Sequence, residues 1–318
     1  MKDLYAVAGI SKQALWKHKK RQEIVDNTTR QIVEKIKDIR KRHKRMGCRH
    51  MYFACNETLP VGRDAFEQIG LANGFRIKRK RNVMKTTWSQ RIEIYPNIVE
   101  GLTINGINQV WQSDMFYNKI EGKNYYGVTI IDAYSRKLLA LHMSKSLSAV
   151  QLKAAMKKAL KARSGQDVTG CIFHSDRGSQ YISTSHKKLL NDQGIKISMC
   201  RLPQENAYVE RVQGTMKYDY IEPFELSEKN LRYMMPKIIR YYNEERPHSS
   251  LNMMTPDNFE HLLDKLPENL RPEMTIYKWD HEIFTKSPVI NKKKKEAKKK
   301  KSTQKLILEN QFTKVNLF

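Results

Sequence analysis

The chain has 318 residues, 59 of them Lys or Arg against 33 Asp or Glu, for a formal net charge of +26. That excess excludes an ordinary acidic cytosolic enzyme, and a hydrophobic content of 40% excludes a disordered basic protein, because it supplies apolar surface for a real core. No apolar run approaches the ~20 residues of a membrane span, and Met1 to Gly9 lacks the long apolar stretch of a secretory signal.

Four cysteines, Cys48, Cys55, Cys171 and Cys200, are too sparse for a disulfide scaffold and read as buried thiols in a reducing, cytoplasmic setting. A charge this positive implies a phosphate polymer as partner, although an anionic membrane surface would also attract it. The length suggests two or more domains. Composition places a basic helical region over 1–92, a linker over 93–107, a nearly balanced core over 108–260 and a polylysine-bearing extension over 261–318.

In chain order, Leu4 to Lys17 reads as a helix-turn-helix: an apolar turn, Gly9 for the tight bend, Ser11 as N-cap and a second apolar-periodic run. Lys12, Gln13 and Lys17 then lie on the exposed side of a recognition helix. The same residues also read as an ordinary helical hairpin with a solvated basic face. A second helix is expected from a cap at Asn27, burying Ile32, Val33, Ile36 and Ile39, and another over about Gly62 to Asn73, ending at Gly74. His43, Cys48, His50 and Cys55 form no Cys-x-x-Cys or His-x3–5-His pair, so they read as core or DNA-facing groups and not as a zinc site. The segment Arg76 to Arg81, with Lys78, Arg79, Lys80 and Arg81, is a cationic stripe suited to tracking a nucleic-acid backbone.

From Asn108 the period changes. Gln109 to Tyr117, Tyr125 to Asp132 and Lys137 to Met143 predict three antiparallel strands, followed by a helix over Ser148 to Arg163. A strand at Cys171 to His174, a helix at Thr184 to Gln193, a strand at Lys196 to Cys200 and a long helix from near Asn206 complete an α/β order around one mixed sheet. Ser227 to Glu244 is helical in pattern, with a kink expected at Pro236.

Three carboxylates fall at telling places: Asp114 in mid-strand, Asp176 just past a strand before Gly178, and Glu210 one turn into a helix. Clustered carboxylates repel one another unless cations neutralise them, and hard oxygen ligands select Mg²⁺ or Mn²⁺. Two such ions suit an in-line phosphoryl displacement with a water or a 3′ hydroxyl as nucleophile. Gln213 and Lys217 follow on the Glu210 face, and Arg211 is adjacent.

His174 to Tyr181, Glu205 to Arg211 with Lys217, and Tyr242 to Leu251 with Thr255-Pro256 resemble the integrase-core transposases of bacterial insertion sequences. The nearest resemblance is to the second reading-frame product of insertion sequence family three. It implies an RNase H-like fold, a catalytic and metal-binding triad of Asp114, Asp176 and Glu210, two divalent ions per site, and cutting and joining of the element's own ends. It also implies terminal-repeat and target DNA as partners, assembly as a homo-oligomer on DNA, an upstream reading-frame product as a further partner, and a bacterial, nucleoid-associated setting.

Two features depart from or extend the pattern. The family commonly has 35 residues between the second Asp and the Glu, whereas 33 intervene here, with the turn at Arg201 to Gln204 shortened. Arg246 and His248 read as structural groups in preference to DNA contacts. The run Lys292 to Lys301 reads as a disordered tail adding salt-sensitive DNA affinity. The rival readings are a DNA-binding regulator without catalysis, and an RNase H-like nuclease acting on RNA, which a helix-turn-helix suited to B-form DNA disfavours.

Overall fold

In the computed structural model, which describes residues 11–55, 59–77 and 95–276, the chain begins with a helix α1, Lys12–Arg42. Ser11 caps it as expected, its hydroxyl accepting from the Ala14 N–H at 3.1 Å. The helix does not restart at Asn27. Asp26 to Thr29 are weak helix formers but include no Gly or Pro, and Gln22 donates to Asp26 at 2.9 Å one turn on, so the helix runs through. Ile32, Ile36 and Ile39 are buried, and they pack with Met51 of α2 (Cys48–Ala54) and Phe66 of α3 (Arg63–Ala72). Leu4 to Ile10, the first half of the expected helix-turn-helix, and the stripe from Lys78 to Arg81 lie outside the described residues, as does the polylysine run.

After a short strand β1 (Thr103–Ile104) come β2 (Val110–Ile120), β3 (Lys123–Asp132) and β4 (Leu138–Ser144), antiparallel throughout. Glu121 and Gly122 both take positive φ, 48° and 75°, in the β2–β3 hairpin. Helix α4 (Ala149–Ala162) leads to β5 (Ile172–Ser175), and α5 (Thr184–Asp192) leads to β6 (Lys196–Met199). Both strands lie parallel to their neighbours, giving the order β4-β3-β2-β5-β6. Three antiparallel strands followed by two parallel ones, with helices on both faces, is the RNase H-like arrangement.

A one-turn 3₁₀ segment, Pro203–Asn206, opens α6 (Ala207–Thr215), which widens into a π-helical turn over Met216–Ile221. Helix α7 (Leu231–Arg240) ends in a second π turn, Tyr241–Glu245, and α8 (Pro256–Leu263) and β7 (Met274–Thr275) follow. Pro236 sits on the exposed side of α7 while Leu231, Met235, Ile238 and Tyr242 are buried.

Alternation along the strands divides the core. Ile131, Leu138 and Leu141 face α6 and α7, whereas Val128, Ile130 and Trp111 face α4 and α5. The front helices pack onto this core: Arg42 meets Glu245 at 2.6 Å, and buried His43 bonds Tyr220 Oη at 2.9 Å and Glu245 at 3.2 Å. His43 is thus a core group. Strand β7 pairs antiparallel with β1, 172 residues earlier, at Thr103 and Thr275. Among the described residues no helix is long and apolar enough to cross a membrane.

Candidate active site

The parallel β2–β5 ladder ends at the pair Ser113 and Ser175, so the next residues are Asp114, still within β2, and Asp176, just past the end of β5. Asp114 also pairs with Thr129 of β3, and its carboxylate accepts the Met115 N–H at 2.7 Å. Past β5 the chain turns sharply. Asp176 Oδ1 accepts the Gly178 N–H at 3.1 Å, and a Cβ on residue 178 would stand 3.1 Å from that oxygen and 3.3 Å from the Tyr181 ring. Gly178 therefore lets the loop close over the carboxylate. Tyr181 is buried and anchors the loop, its hydroxyl 3.0 Å from Ser113 Oγ.

Glu210 lies in the first turn of α6, where the positive end of the helix favours a carboxylate. Asp114 is half-buried, and Asp176 and Glu210 reach the surface with their carboxyl groups partly enclosed by the surrounding chain. The three interact. Burial first, then the Asp176 charge and then the Glu210 charge push the Asp114 carboxyl up to about 7, against the opposing pull of the Met115 N–H and Gln213. Burial raises the Asp176 carboxyl against its bond from Gly178, and it raises Glu210 as well.

This charge pattern is the test of fit to a metal. After burial, the Asp176 and Glu210 charges both raise the Asp114 carboxyl, a repulsion that a cation at the sheet edge would relieve. Among the described residues no group of three or more His, Cys, Asp or Glu converges on one ion position. A hard ion such as Mg²⁺ does not require one, since it keeps several waters and binds through one or two carboxylates plus substrate phosphates. The residues fit the ion by chemistry and charge.

Of the residues expected to contact DNA, Arg211 is exposed beside Glu210, and Lys217 stands in the π turn with Nζ 5.6 Å from the Tyr218 ring. Lys12, Gln13 and Lys17 are exposed on the first turns of α1. Arg246 is occupied structurally, bonding Asp219 at 2.7 Å, and the His248 ring stands edge-on to Tyr242 at 4.9 Å. Two residues without an expected role tie the site together: Gln112 accepts from the Val209 N–H at 3.2 Å, and Asn206 donates to the Ser113 carbonyl at 2.9 Å. Gln112 stands two residues before Asp114 and Asn206 four before Glu210, but their partners are backbone atoms more than 90 residues away in sequence.

Residues 105–203 match the model of the integrase core domain, and residues 193–256 match a second integrase core domain model. The chain is 30% identical over 194 residues to the transposase for insertion sequence element IS904 of Lactococcus lactis, covering 59% of this chain and 74% of that one. It is 29% identical over 205 residues to the insertion element IS600 uncharacterized 31 kDa protein of Shigella sonnei, covering 63% and 75%. Among solved structures, the magnesium complex of the HTLV-2 integrase catalytic core domain in its dimeric form matches with a TM-score of 0.40 and 19% identity, over 49% of this chain and 97% of that one. The family matches define an integrase-core protein, and its sheet has the RNase H-like order. Within that class the chain belongs to the transposases of insertion sequences.

Proposed function

We propose that the protein cuts DNA at the ends of its insertion sequence and joins them to a target, acting as a polynucleotidyl transferase through Asp114, Asp176 and Glu210. The observation that carries this reading is the placement of Asp114 and Asp176 side by side where the β2–β5 ladder ends, with Glu210 near enough that, after burial, both neighbouring charges push the Asp114 carboxyl up to about 7. Two Mg²⁺ or Mn²⁺ ions held by the three carboxylates would neutralise that charge and supply the Lewis acidity for displacement at phosphorus. The remaining tasks fall to the chain itself. The Gly178 turn and the Tyr181 anchor hold Asp176 in place, and Arg211 and Lys217 meet the DNA backbone beside Glu210.

In the same reading the region 1–92 recognises the terminal repeats, with Lys12, Gln13 and Lys17 towards the bases and Lys78, Arg79, Lys80 and Arg81 along the backbone. Residues 108–260 perform the chemistry, and the polylysine extension adds sequence-independent affinity. Two ends must be held together for joining, so the active form is at least a dimer on DNA, with an upstream reading-frame product as a candidate partner.

The test is Mg²⁺- or Mn²⁺-dependent nicking and joining on labelled DNA carrying the element's termini, comparing the intact chain with Glu210→Gln at one salt concentration. Activity in the first and its loss in the second are expected, with terminal binding retained in both. Equal cutting by both proteins would remove Glu210 from the chemistry. Binding by both without cutting by either, even with the upstream product added, would favour a regulator.

A further inference from the structure

We infer that Gln112 and Asn206 are positioning residues that set Glu210 against Asp114 and thereby determine the affinity of the site for its divalent ion, an inference that rests on the reading of the triad above. The first turn of an α-helix leaves backbone N–H groups without partners, and they are normally capped by a side chain of the helix itself. Helix α6 has no such cap from its own N-cap residue, Asn206. Its Val209 N–H is taken instead by Gln112 Oε1 at 3.2 Å, from the neighbouring strand β2. Asn206, freed from capping, turns the other way and donates Nδ2 to the Ser113 carbonyl at 2.9 Å, where the β2–β5 ladder ends.

The two bonds cross: a strand side chain holds the helix backbone, and a helix side chain holds the strand backbone. Each lands on the residue next to a carboxylate, Val209 before Glu210 and Ser113 before Asp114. Ser113 extends the frame to the third carboxylate, because its Oγ is 3.0 Å from the Tyr181 hydroxyl that anchors the Asp176 loop. Gln112 and Asn206 are 0% and 2% exposed, so solvent does not compete for these bonds.

Each amide commits one end to this frame and leaves the other unused: Gln112 Nε2 and Asn206 Oδ1 are buried without a hydrogen-bond partner among the described residues, while the opposite end of each holds a backbone group beside a carboxylate. The bonds that are made all serve the spacing of Asp114 and Glu210. Groups that orient metal ligands from behind change metal affinity or activity by about 10- to 100-fold when removed.

The experiment is calorimetric titration of Mn²⁺ into the full chain, its Gln112→Met and Asn206→Leu variants and Glu210→Gln, together with melting temperature and terminal-DNA binding in EDTA. Gln112→Met and Asn206→Leu should each weaken Mn²⁺ binding by about 10- to 100-fold, with a cooperative melting transition, lowered by the loss of one buried hydrogen bond, and metal-free DNA binding retained. Unchanged Mn²⁺ affinity in the two variants, with binding lost in Glu210→Gln, would overturn the positioning role and leave the triad standing. Unchanged Mn²⁺ affinity in Glu210→Gln would instead overturn the triad reading on which the inference rests. If either variant is unfolded by its melting curve, the other decides, since each removes one of the two crossing bonds.

Discussion

Arg163 at the end of α4 and Glu260 of α8, 97 residues apart, meet in a two-pronged ion pair, with Nη1 to Oε2 at 2.8 Å and Nη2 to Oε1 at 2.6 Å. The guanidinium also reaches Asp132 at 3.1 Å, so one buried cation serves two buried carboxylates. Lys137 supports Glu260 at 2.8 Å, whereas Asp132 has no second cation among the described residues and is held by the backbone N–H groups of Asn108, Tyr134 and Ser135. Removing one partner of a buried pair strands the other's charge. Arg163→Met should therefore lower unfolding free energy by about 3 to 5 kcal/mol in urea titrations. A change under about 1 kcal/mol would mean that the network behaves like a surface pair.

Gly127 of β3 lies across from Phe116 in the register of the sheet. A Cβ there would come within 2.2 Å of the Phe116 ring and 2.8 Å of Met143 Sδ. Gly127→Ala should cost about 1 to 3 kcal/mol through overpacking. The check is a double-mutant cycle: Phe116→Leu, destabilising alone, should recover part of the loss when combined with Gly127→Ala. Strict additivity would place the clash elsewhere.

His186 of α5 is buried with neither ring nitrogen hydrogen-bonded among the described residues, edge-on to Phe173 at 5.1 Å. Burial pushes it down to about 4, while a histidine in the unfolded chain titrates near ~6.5. As pH falls between these two values the unfolded chain takes the proton first. The contribution of His186 is complete above about pH 6.5 and declines by up to about 1.4 kcal/mol per pH unit towards the folded value. His186→Leu should flatten the stability profile in that window relative to the native chain. Parallel profiles for the two proteins would show that the group is not titrating there.

Arg211 is exposed beside Glu210 and makes no ion pair among the described residues. If it meets a DNA phosphate, Arg211→Gln should weaken binding about equally for terminal and unrelated duplexes, and the slope of log affinity against log salt should fall by about 1. Binding measured in EDTA keeps this separate from catalysis. A loss confined to the terminal sequence would assign Arg211 to base reading.

Most of the sheet and its helices were legible because each is a local pattern: alternation in β2 to β4, apolar stripes in α4 and α7, and the turn at Glu121-Gly122. The Asp114, Asp176 and Glu210 placements followed from that order. What escaped has distant or non-periodic causes. The continuity of α1 through Asn27 depends on the absence of a breaker, which outweighs one good capping residue. The pairing of β1 with β7 joins two-residue strands that carry no periodicity of their own. The π turns at Met216 and Tyr241 preserve the apolar spacing of a helix closely enough to read as one. Gln112 and Asn206 lie within the predicted first strand and the Glu205 to Arg211 stretch, but a side chain bonded to backbone across the sheet edge leaves no mark in either segment alone.

The pairing of β1 with β7 makes the way into the core and the way out of it one place. Ile276 and the stretch 101–102 exchange backbone bonds there, Gly101 N–H to Ile276 O at 3.2 Å and Ile276 N–H to Leu102 O at 2.8 Å. A unit whose entrance and exit touch can be joined end to end, or set between other segments, without redirecting its strands. The stretch from 99 to 276 is in that sense a cassette. The helix before it is bonded to it through Arg42 and His43, so an exchange at the front would have to keep those contacts, whereas the sheet edge carrying the carboxylates keeps its own internal frame.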